Sequence, residues 1–202
     1  MNQGMFLTAL LSYFVIVDPV GVSLTFAVLT DGKDDSYCRK MALQAVSLST
    51  IIVLFFGFFG ATVLTKLGIS IESFRIAGGL LLFYTAFNMI TKSEVFPLEG
   101  SGKGPEDISV FPLSFPLIAG PGCLTLTVLL YTEAGQQAEN IIALMLAILL
   151  VFGLTFFCFL SAHRISDFIG ETGNNIVKRL LGVVLASLSI QFIADGVMGF
   201  LN

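Results

Sequence analysis

The length of the uncharged runs is what most constrains this chain. Met41 to Thr65, Ile108 to Thr132 and Asn140 to Ala162 contain no Asp, Glu, Lys or Arg. Each exceeds the roughly 20 helical residues that cross a hydrocarbon core. Hydrocarbon offers the backbone no hydrogen bonds, so such runs are expected to close their own as helices. Residues 1–30 carry a single charge, Asp18, and no Lys or Arg precedes their apolar run as a signal peptide requires. They read as an uncleaved first span. Two further runs, about Ile69 to Thr91 and Ile176 to Phe200, complete an expected set of six. Only 12% of the residues are charged, against about 25% in soluble domains. The expected fold is all-α and integral to the membrane, one transmembrane domain over 1–202, with loops too short for a soluble domain.

The placement of Lys and Arg predicts the orientation. With the N-terminus outside, Lys33, Arg39, Lys40, Lys92, Lys103, Arg164, Lys178 and Arg179 fall in cytoplasmic connections, and only Lys66 and Arg75 fall outside. The positive-inside rule then predicts a bacterial inner (plasma) membrane protein with both termini periplasmic. Cys38, Cys123 and Cys158 lie far apart with no CxxC spacing, which argues against a disulfide or metal framework.

The connection at 92–107 has the Ser-Gly-Lys-Gly-Pro composition of a flexible linker and divides the chain into halves of about 1–91 and 108–202. Asp18-Pro19-Val20-Gly21-Val22-Ser23-Leu24-Thr25 aligns with Gly120-Pro121-Gly122-Cys123-Leu124-Thr125-Leu126-Thr127 at an offset of 102. Arg75-Ile76-Ala77-Gly78 aligns with Arg179-Leu180-Leu181-Gly182 at an offset of 104. Both matches fall in the same order, which predicts an internal duplication. Three spans per unit invert the second copy across the membrane, the plan of many secondary transporters.

Proline within a span removes an N–H and clashes with the preceding turn, and glycine loosens the backbone further. The first and fourth helices are therefore expected to be discontinuous at mid-membrane, at Asp18-Pro19-Val20-Gly21 and Gly120-Pro121-Gly122. Freed backbone in a membrane survives only where protein or a cavity satisfies it. Each break exposes N–H groups around Gly21 or Gly122, which suit a carboxylate, and carbonyls around Val17 or Ala119, which suit an ammonium or cation. Two facing breaks would hold a small zwitterion. A pair of ordinary packing kinks is the plainer reading.

Asp18 is costly at mid-membrane. It could pair a substrate amine, carry a coupling proton, or cap the second half-helix. Ser23, Thr25, Cys123, Thr125, Asn88 and Gln191 are the remaining candidate lining residues, although Ser and Thr often back-bond to their own helix. Asp195, near a helix end, reads as hydrated. Glu72 and Arg75 could pair, His163 reads as interfacial, and Gly78, Gly79 and Gly182 as packing positions. No hydrolytic triad, HExxH helix or P-loop is present, so neither enzyme chemistry nor ATP driving is expected.

Asp18-Pro19-Val20-Gly21, Gly68-Ile69-Ser70-Ile71, Arg75-Ile76-Ala77-Gly78-Gly79 and Phe111-Pro112-Leu113 through Gly120-Pro121-Gly122 resemble the MarC family. Arg179-Leu180-Leu181-Gly182 and Gln191-Phe192-Ile193 through Gly196 extend the likeness over nearly the whole chain. This family is also described as small neutral amino acid transporters and placed near the LysE exporters. The resemblance implies six spans in inverted repeats around a site for glycine, alanine or similar solutes, with ion-coupled or exchange transport and possible export. Val22 stands where many relatives carry Asn. No cofactor is expected beyond a coupling proton or sodium ion. The expected partners are a neutral amino acid and the lipid bilayer, with no nucleic acid. A cation or metal permease and a non-transporting scaffold are the alternatives.

Overall fold

The computed structural model describes residues 3–91, 107–135 and 137–201, so the linker at 92–107 lies outside the described residues except for Asp107. Helices α1 (Gln3–Val17) and α2 (Pro19–Leu29) meet at Asp18. Helix α3 (Asp35–Lys66) ends where Gly68 takes φ +72, a left-handed value that glycine adopts freely. There the N–H of Ile69 reaches back to Leu64 O at 2.9 Å and that of Gly68 to Thr65 O at 3.1 Å, closing the last turn. Ser70 then caps α4 (Ile71–Thr91), its Oγ accepting from the Ser73 N–H at 3.1 Å.

The second half opens with an irregular, wide-turned segment, Ser109–Ile118. Its turns close through bonds from Leu113 N–H to Ile108 O and from Ala119 N–H to Ser114 O, one residue longer than in an α-helix. Phe111 and Phe115 are extended, each followed by a proline through a cis peptide bond. The exposed Asp107 starts the segment, accepting from the hydroxyl and the N–H of Ser109, and these bonds hold its carboxyl below the usual carboxylate range. A bend of 55° leads into α5 (Pro121–Ala134), followed by α6 (Ala138–Leu160) and α7 (Ala162–Leu201).

By length and composition five helices can cross a membrane, or six if the bent pair 109–118 and 121–134 counts as one span. The sequence places the fourth break at Gly120-Pro121, but the irregular region extends back to Ser109. Pro112 and Pro116 remove further N–H donors from the same span. A second difference lies at the end of the chain. The connection expected before the sixth span is absent, because α7 runs unbroken from Ala162. No proline interrupts it, and Gly170 and Gly173 do not suffice to end a helix. Lys178 and Arg179, counted with this connection in the charge balance, lie on the helix within the sixth run of 176–200, as that run expects.

Side-chain size is distributed as a membrane requires. Helix α3 turns Ala42, Ala45, Ser49, Val53, Gly57 and Gly60 inward and leaves Ile51, Phe55, Phe58 and Phe59 exposed. In water that arrangement would forfeit the hydrophobic driving force, whereas in lipid small residues bring backbones close while large apolar groups face acyl chains. The main core gathers Tyr13, Phe26, Leu113, Leu144, Ile148 and Phe152, with Phe26 stacked on Phe159 at 4.5 Å between ring centres. A smaller cluster of Leu82, Ala86, Met89 and Leu185 joins α4 to α7.

These last two helices form the most extensive pair and run antiparallel. Gly196 lies against Glu72 and Ile76, Gly79 against Ser189 and Ile193, and Gly182 against Ala86 and Ile90. Helix α3 packs on 109–118, α5 and α6, while α6 also packs on α1 and α2. Helix α4 also meets α5, and α7 also meets α2.

Candidate functional site at the two helix breaks

The first break is made by three residues acting together. Asp18 adopts φ 47 and ψ 67, in the left-handed region that Asp and Asn enter more readily than most side chains. That turn folds its carboxylate over the start of α2, where Oδ1 accepts from the Gly21 N–H at 3.0 Å. Pro19 supplies the fixed φ of a first helical residue. Gly21 is required by space, because a Cβ there would run into the Asp18 carboxylate. The cap anticipated as the plainer reading of Asp18 is therefore present. It uses one oxygen, and among the described residues Oδ2 has no hydrogen-bond partner.

The second break shares one backbone bond with the first but not its conformation, because Gly120 is extended at φ -69 and ψ 168 where Asp18 is left-handed. Val22 N–H bonds Asp18 O at 3.0 Å, and at the offset of 102 Leu124 N–H bonds Gly120 O at 3.0 Å. Gly120 brings no side chain, so the first amides of α5, at Gly122 and Cys123, have no side-chain cap. The two helix ends thus differ electrostatically. The positive end of α2 is covered by a carboxylate, and that of α5 is open.

A small cavity lies at each break, each of about 70 Å³, enough for a few waters or a very small solute. Asp18, Gly21, Thr25, Met89 and Lys178 line the first, and Gly120, Pro121, Gly122, Cys123 and Leu185 the second. Ile16, Thr85 and Leu117 line both, so the two cavities adjoin.

The remaining expected site residues divide clearly. Pro19 and Val20 shape the first turn of α2 without lining either cavity. Ser23 is fully buried and donates to Val20 O at 2.7 Å, and Thr25 donates to Gly21 O at 3.4 Å. Thr125 donates to Pro121 O at 2.9 Å and packs against Gly78. Asn88 and Gln191 are not brought to the cavities. Gln191 is exposed and donates to Asp195 Oδ1 at 2.7 Å on its own helix.

Lys178 was not among the residues the sequence singled out, because it read as a loop cation. It is 9% exposed and lies in the Asp18 cavity. The signal that could have found it is the lack of any helix stop between Ala162 and Lys178, which keeps it on the helix that carries the sixth candidate span. Tyr13 was also missed. Its hydroxyl donates to Thr127 Oγ1 at 2.9 Å, tying α1 to α5 inside the core. Replacing Tyr13 with Phe is expected to cost about 1 to 2 kcal/mol of stability, seen as a lower unfolding temperature in detergent.

A family described as MarC family integral membrane protein matches residues 3–201. A UPF0056 membrane protein of Buchnera aphidicola is 34% identical, covering 98% of this chain and 96% of its own length. One from Methanocaldococcus jannaschii is 32% identical over the whole of both chains. The UPF0056 membrane protein YvbG of Bacillus subtilis is 34% identical over 94% of this chain and 92% of its own. No solved structure matches. The chain belongs to the MarC family of integral membrane proteins.

Proposed function

We propose that the protein is a secondary transporter of small neutral amino acids of the glycine and alanine type, working by alternating access between two inverted three-helix repeats. The observation that carries this reading is the pair of proline breaks at corresponding positions of the two halves, each lining one of two small adjoining cavities. Broken helices meeting mid-membrane are the usual substrate and ion sites of such folds.

Inversion is supported by the packing. Exchanging the first span for the fourth, the second for the fifth and the third for the sixth leaves the pattern of the main neighbours unchanged. The antiparallel pairing of α4 with α7 is what inverted copies require. The reading places the protein in the inner membrane with its N-terminus outside, and couples transport to a proton, to sodium or to exchange.

The substrate ammonium belongs at Asp18, whose free Oδ2 belongs to a residue lining the cavity. A bare cation is a poorer occupant, because Lys178 lines the same small space and would repel it. Trimming the lining common to both cavities with Ile16→Ala and Leu117→Ala together is expected to raise passive glycine leak through proteoliposomes several-fold and to weaken gradient-driven accumulation. Uptake of labelled glycine and alanine under separate proton and sodium gradients tests the function itself. Movement under neither gradient and no exchange would refute the proposal.

A further inference from the structure

Resting on the transporter reading, we infer that Lys178 holds the carboxylate of the substrate in the same cavity where Asp18 holds its ammonium. The recognised group is then the complete head of a free amino acid. Lys178 reaches the cavity from α7 and Asp18 from the break between α1 and α2, and both are more than nine-tenths buried. Among the described residues no ion pair joins them, and the Lys178 ammonium has no hydrogen-bond partner. Buried charges are ordinarily paired, because the loss of hydration is large. Two opposite charges that line one cavity without touching leave a gap whose electrostatic complement is a zwitterion.

The competing anion site, the open amides of α5, lines the adjoining cavity and not the one that Asp18 and Lys178 share. The rest of the cavity is largely apolar, formed by Ile16, Val17, Val22, Met89 and Leu117. It suits a hydrogen or methyl side chain and offers a charged side chain no partner.

Binding to the purified full-length chain in detergent tests this, with glycine, glycinamide and acetate as probes. Wild type is expected to prefer glycine to glycinamide, because only glycine presents an anion to Lys178. Lys178→Met is expected to weaken glycine binding roughly 10- to 100-fold and bring its affinity close to that of glycinamide. If Lys178→Met keeps the preference, the carboxylate is held elsewhere and the inference is wrong, although the transporter reading stands. Should Lys178→Met not fold, Asp18→Asn is compared with Asp18→Asn/Lys178→Met, in which no buried charge is left alone. Residual glycine or acetate binding is expected in the first and lost in the second, and equal binding overturns the inference. Wild type that neither binds nor exchanges any small amino acid instead overturns the transporter reading beneath it.

Discussion

Replacing Asp18 with Asn is expected to abolish the proposed concentrative uptake of glycine and alanine while leaving the fold in place. Asn is nearly the same shape and its side-chain oxygen can still accept from the Gly21 N–H, so the cap on α2 survives. The negative charge facing the cavity is lost. Removing one partner of a buried charged contact costs about 2 to 4 kcal/mol, a roughly 30- to 1,000-fold loss of substrate affinity. Substrate titration of uptake in proteoliposomes reads this directly, and scanning fluorimetry in detergent shows whether the protein is still folded. Uptake by the Asn variant with unchanged affinity would reduce Asp18 to its capping role.

The largest structural effect is expected at Gly79. A Cβ there would stand 2.6 Å from Ile193 Cγ1, 2.9 Å from Ser189 O and 3.2 Å from Ile193 N. Two of these atoms are backbone, so no side-chain rotation relieves the contact and α4 must move away from α7. Gly79→Val is expected to cost about 1 to 3 kcal/mol, or roughly 3 to 10 °C in unfolding temperature. At Gly153 an added methyl meets nothing within 4 Å, so Gly153→Ala should leave that temperature unchanged or slightly raised. Equal effects at the two positions would contradict close packing between the third helices of the two halves.

Features written in local chemistry were legible in the sequence. Uncharged length predicts spans because backbone in lipid must bond itself, and Pro19 and Pro121 predict breaks because proline cannot donate. The Asp18 cap follows from the same local rules. Placement across the bundle was not legible. Asn88 and Gln191 look equivalent along the chain, yet a helix shows each side chain in only one direction, and theirs miss the cavities. Lys178 was counted as a connection residue despite the absence of a stop signal, since a cation beside Arg179 ordinarily marks a membrane surface. Leu117, Ile16 and Thr85 carry no chemical mark at all. Only the meeting of α1, α4 and the 109–118 segment makes them a lining common to two cavities.

Counterflow in proteoliposomes tests the central claim most directly, because it requires a binding site that alternates between the two sides and no coupling gradient. Vesicles holding the purified wild-type chain and loaded with unlabelled glycine are predicted to draw in labelled glycine transiently above its equilibrium level. Asp18→Asn vesicles should not. Failure of the wild-type protein to exchange glycine, alanine or any other small neutral amino acid, with sodium present and across pH, would contradict the account.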